Sequence, residues 1–178
     1  MSKKTSMQVK YLTVSAMLSA LGVVMLGLGS LVEVLDLTFA VIASLLTVYA
    51  VIEIGGAYPW LIWIVTSTVA LLILPLKTPV LFYALLTGYY PILKQKIERR
   101  MARVPAWTFK MSVFAISLAV IVAVMWLFAP TLLETEGGWV VIAATVILAV
   151  LSFILYDICL TKLITVYFVK LQKRFRMK

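Results

Sequence analysis

Glu53 and Asp157 stand in otherwise apolar runs. A carboxylate in such surroundings pairs with a cation, carries a proton or binds a ligand. Pairing is the simplest reading for both. Glu53 precedes the Gly55-Gly56 turn, where the positive end of the next helix or the basic segment 94–103 can neutralise it. Asp157 is followed by Lys162 and can also face Lys110. Glu53, Asp157 and Lys162 are therefore expected in structural ion pairs. Glu33 and Asp36 lie together in the link between two apolar runs and can gate or bind a cationic ligand. Glu134 and Glu136 read as solvated loop charges.

The residue inventory removes most reaction chemistry. There is no histidine and no asparagine, and Cys159 is the single cysteine. Imidazole metal sites, histidine general bases and N-linked glycosylation are thereby excluded, and so is any disulfide framework. No nucleophile elbow, zinc-protease helix or phosphate-binding loop occurs. Asp36 and Asp157 are the only aspartates and are expected at opposite faces of a membrane, which leaves no carboxylate dyad. We expect no catalytic site, no metal and no cofactor.

Hydroxyl and aromatic residues offer a different chemistry. Thr66, Ser67 and Thr68 form a polar cluster within an apolar run, and Phe82, Tyr83, Trp126 and Trp139 fall toward the ends of others. Brought together, such groups make a mostly apolar pocket with a few hydroxyls, the composition of a small-molecule site. The expected substrate-binding set is Glu33, Asp36, Thr66, Tyr83, Trp126 and Trp139.

The elements that must position these residues follow from composition. Hydrophobic residues make up 64% of the 178 and charged residues only 13%, against roughly 45–50% and about 25% in soluble domains. The chain reads as an all-α polytopic membrane protein, one six-helix transmembrane bundle forming a single domain over 1–178. Apolar runs place the spans near 11–29, 37–54, 60–74, 80–93, 107–128 and 139–168. Every Lys and Arg except Lys77 falls on or close to one set of alternate links, Lys110 and Lys162 lying just inside span ends, and Glu33, Asp36, Glu134 and Glu136 fall on the other. Basic residues remain on the cytoplasmic side, so both termini are expected there. This placement explains the net charge of +9 by contact with anionic lipid, and nucleic acid is not expected as a partner. The segment KQKIERRMARVPA carries Ile97 and Met101 at helical spacing, which suits a basic helix lying on the membrane surface.

The first span contains TVSAMLSALG, residues 13–22. Residues four apart share a helix face, so Ala16 stacks with Ala20 and Ser15 with Ser19, and Gly27 extends the alanine row. In lipid, small residues allow the close backbone approach on which helix association depends. Ala115, Ala119 and Ala123 repeat the spacing in the fifth span. Ala16-x-x-x-Ala20 in the first of six spans, in a chain near 180 residues, resembles the substrate-binding S components of energy-coupling factor (ECF) vitamin transporters. The resemblance implies that Ser15, Ala16, Ser19 and Ala20 meet a transmembrane T subunit driven by two ATPase subunits. It also implies a vitamin-like small-molecule substrate captured from outside, and a bacterial cell membrane. The alternatives are a structural scaffold of a cell-envelope assembly complex and a lipid transporter or scramblase.

Overall fold

The computed structural model describes residues 3–32, 35–100, 103–128 and 138–167, with side chains placed at 6–32, 35–98, 105–124, 127 and 143–167. Every regular element among them is helical: α1 (Lys3–Leu31), α2 (Asp36–Glu53), α3 (Tyr58–Ile73), α4 (Thr78–Phe82), a π-helical segment (Tyr83–Thr87), α5 (Tyr90–Arg100), α6 (Arg103–Phe128) and α7 (Gly138–Val166). Among the described residues, four stretches are long and apolar enough to cross a membrane: Ser6–Leu31, Asp36–Glu53, Pro105–Val124 and Ala143–Val166. The expected third span is a shorter apolar helix of 16 residues. The expected fourth span is not one helix but the succession of α4, the π segment and α5.

Local chemistry explains the breaks. After α2, Gly55 and Gly56 both take positive φ, at 67° and 63°, a conformation open to glycine at no steric cost. Pro59 lies in the first turn of α3 and Pro79 in that of α4, where the missing N–H has no partner to lose. α3 stops at Leu74, whose extended backbone is the conformation imposed on a residue preceding proline, here Pro75.

The chain divides into two compact units, Met1–Leu118 and Ala119–Lys178, with the border inside α6. In the first unit, side-chain contacts fix the helix directions. Tyr11 packs edge-on against Tyr58, Gly22 lies against Thr66, and Gly27 meets Leu74. The first and last of these contacts are equally spaced along α1 and α3, so the two helices run in the same direction. Gly29 meets both Phe39 and Pro79, near the starts of α2 and α4. Gln95 Nε2 donates to the Val51 carbonyl near the end of α2. Thus α2 and the α4–α5 chain run together, opposite to α1 and α3. The core consists of Leu26, Ala40, Ala43, Ala70, Leu74, Val80 and Tyr83. Its alanines let backbones approach closely.

Helix α5 differs from the surface helix expected of its basic sequence. Pro91, Ile92, Lys94 and Ile97 are buried, and the helix packs on α2. In the second unit, α7 buries one narrow stripe at Phe153, Asp157 and Leu160, and Tyr167 just after it is buried as well. Around that stripe it exposes Ile147, Leu148, Leu151 and Leu155, the surface expected of a helix facing hydrocarbon.

Candidate functional site

The interior of the first unit contains an array of hydroxyls. Ser44, Thr47, Thr66, Tyr83 and Thr87 are all fully buried or nearly so. Tyr83 Oη and Thr47 Oγ1 are hydrogen-bonded at 3.1 Å, and Thr66 also bonds the same phenol. Thr66 Oγ1 donates to the Ser19 carbonyl at 3.4 Å, joining α3 to α1. Thr87 Oγ1 donates to the Ala40 carbonyl at 3.2 Å, joining the π segment to α2. Ser15 and Ser19 donate to carbonyls one turn back, at 2.8 and 2.9 Å. A hydroxyl satisfied in this way is tolerated away from water. The Ser67 hydroxyl is buried with no hydrogen-bond partner among the described residues.

These contacts separate the two rows of the first span. Ser15 and Ser19 are buried, whereas Ala16 and Ala20 are exposed. Gly22 continues the buried row, and a Cβ there would stand 3.0 Å from Thr66 Cγ2.

The remaining expected site residues are distributed differently. Thr66 and Tyr83 come together, and each is enclosed by protein. Asp36 is half-buried in the first turn of α2, where its charge complements the helix dipole. Glu33 lies outside the described residues. Trp126 and Trp139 belong to α6 and α7, and their side chains lie outside the described set. Asp157 is buried and Lys162 exposed, while Glu53 is half-buried at the end of α2.

The chain matches no family, no curated protein and no solved structure. Function must therefore be argued from the residues themselves.

Three features were not singled out in the sequence. The first is the small face of α2, where Ala40, Ala43, Ser44 and Thr47 are buried. Its spacing repeats the signal noticed in the first span and could have been found the same way. The second is an ionic cluster: Glu98 Oε1 lies 2.7 Å from Lys110 Nζ and 3.5 Å from Lys94 Nζ. Both lysines are buried, while Glu98 is 45% exposed. Lys94 and Glu98 share a helix face by their spacing, but the approach of Lys110 requires the fold. The third is the irregular stretch around Gly88. Gly88 N donates to Tyr83 O across five residues at 2.7 Å, and Trp63 Nε1 donates to the Ala84 carbonyl at 3.1 Å. A Cβ on Gly88 would stand 2.7 Å from Trp63 Cδ1. Trp63 itself stacks edge-on with Trp60 and Tyr89, and Lys96 lies 5.2 Å over the Trp60 ring.

Proposed function

We propose that this protein is a multi-pass membrane subunit that captures a small molecule and docks through α1 onto a separate transmembrane partner, in the manner of an ECF S component. The observation that carries the reading is the exposure of Ala16 and Ala20 on a helix whose neighbouring row, Ser15, Ser19 and Gly22, is buried. A pair of alanines one turn apart leaves a shallow surface on which another helix can approach closely. The Ser67 hydroxyl supports a polar contact to a captured molecule on α3. Six spans with both termini cytoplasmic are part of the proposal. The alternation of helix direction through α5 and the distribution of basic residues support them.

Docking is tested by replacing both alanines with tryptophan and purifying the variant together with candidate transmembrane subunits. The expected result is loss of association with no change in the melting temperature of the chain alone. Undiminished association would remove the docking role.

One observation favours a second reading, a scaffold within a cell-envelope complex. Thr66 and Tyr83, both expected to line a pocket, are enclosed and bonded to protein groups. Native mass spectrometry of the purified chain separates the two readings. A retained small molecule favours capture, and a bare chain favours the scaffold.

A further inference from the structure

Helices α1 to α5 hold one another by close approach: Gly22 on Thr66, Gly29 on Phe39 and Pro79, Gly88 on Trp63. The attachment of α6 is of another kind. Its buried positions in the first unit are Ala106, Lys110, Phe114 and Ser117, and the two polar ones reach across to the preceding helical chain. Ser117 Oγ donates to the Val113 carbonyl at 2.8 Å, so in its hydrogen bond with Tyr89 the phenol is the donor. Lys110 donates to Glu98 at 2.7 Å, and Glu98 also faces Lys94 on its own helix. Lys110 and Ser117 are about two turns apart on one face of α6. The border between the compact units falls just beyond this face, after Leu118.

In lipid, no hydrophobic force draws an apolar helix onto a bundle, so adhesion depends on packing and on polar ties of this sort. The Tyr89 tie ends beside irregular backbone. Tyr89 follows the π segment, and its ring lies 5.9 Å from that of Trp63, whose indole caps a carbonyl of the same segment. Breaks of this kind in a helix recur where a protein must move or bind.

We propose that α6 is a strap that swings laterally away from α5, held closed by the Tyr89–Ser117 and Glu98–Lys110 ties. Breaking both opens a path from the lipid to the Trp63–Tyr89 side of the bundle. This role is independent of docking through α1.

The test uses the full chain in phosphatidylcholine nanodiscs, in a Cys159→Ser background. Spin labels at Ile116→Cys and Leu61→Cys, both exposed, report the distance from α6 to α3. A reference pair at Leu21→Cys and Leu72→Cys, also exposed, reports α1 to α3. The double substitution Tyr89→Phe/Glu98→Met keeps side-chain size closely while removing the phenol donor of one tie and the acceptor of the other. It is expected to add a population longer by about 5 Å or more between α6 and α3, the scale of a one-turn helix displacement. The reference pair should stay unchanged. In a separate variant, a Phe114→Cys thiol should react with N-ethylmaleimide about tenfold faster once the ties are gone, because reactivity follows the open population. An unaltered α6–α3 distance with unaltered reactivity overturns the proposal. A shift in the reference pair also overturns it, since the ties would then hold the whole bundle rather than one helix.

Discussion

Gly22 of α1 and Thr66 of α3 meet so closely that a Cβ built on Gly22 stands 3.0 Å from Thr66 Cγ2 and 3.2 Å from its hydroxyl oxygen. The same threonine donates to the Ser19 carbonyl one turn earlier. One side of α1 is therefore committed to α3, while Ala16 and Ala20 stand on another side that the chain leaves exposed.

Substitutions on the two sides should differ accordingly. Gly22→Leu forces side-chain volume into filled space and is expected to destabilise by about 1–3 kcal/mol. Ala16→Leu enlarges an exposed side chain and should change stability by less than about 0.5 kcal/mol. Melting temperatures in one detergent measure both. Equal losses would mean that the alanine side is packed as tightly as the serine side.

Gly88 is under a stricter constraint, because one of the atoms a Cβ would strike is the Tyr83 carbonyl oxygen at 2.7 Å. That oxygen accepts the Gly88 N–H and cannot turn aside as a side chain can. Gly88→Ala is expected to destabilise by about 2 kcal/mol or more, with a shift in tryptophan emission as Trp63 leaves its position. The midpoint of unfolding in a denaturing detergent titration gives the first quantity, and fluorescence of a variant retaining only Trp63 gives the second.

The hydroxyl array should contribute modestly at each bond. Tyr83→Phe and Thr47→Val each remove one partner of the 3.1 Å contact and are expected to cost about 0.5–1.5 kcal/mol apiece. Their coupling in a double-mutant cycle should lie near 0.6 kcal/mol, the average for hydrogen bonds between membrane helices. A coupling of zero would show that the two hydroxyls stabilise the fold independently.

Lys77, itself exposed, caps the end of α3. Its Nζ donates to the Leu71 carbonyl at 2.6 Å and to the Leu74 carbonyl as well. A cation at a helix C-terminus stabilises it by about 0.3–1 kcal/mol. Lys77→Met should cost that amount and speed hydrogen exchange in the last turn of α3, with α2 unaffected. Exchange that rises equally throughout the bundle would argue against a local cap.

What could be read in advance depended on the range of each signal. Long apolar runs identified α1, α2, α6 and α7 directly, because a helix that satisfies its own backbone needs no partner to be recognised. Paired glycines and prolines marked the turns. In the sequence, 80–93 reads as a short span and KQKIERRMARVPA as a surface helix, whereas the structure divides 78–100 into α4, the π segment and α5. The apolar part of that stretch resembles any other, while the π segment depends on contacts from Trp63 and Thr87 that sequence spacing does not encode. Ile97 looked like a residue meeting lipid at the membrane surface; in the fold it is buried where α5 packs on α2.

The serine and alanine rows of α1 draw the same distinction most narrowly. Sequence alone determined that TVSAMLSALG would form a helix in lipid with two rows of small residues, because the period of the helix and the absence of bulk are local properties. It also determined that the chain would form several helices long and apolar enough to cross a membrane, since length and composition are read along the chain. Only the tertiary structure decided which row is used within the bundle, because that choice rests on where Thr66 comes to lie. It likewise brought Lys110 to Glu98 and Ser117 to Tyr89. The partners in these pairs come from separate helices, and no repeat or spacing in the sequence relates one helix to another.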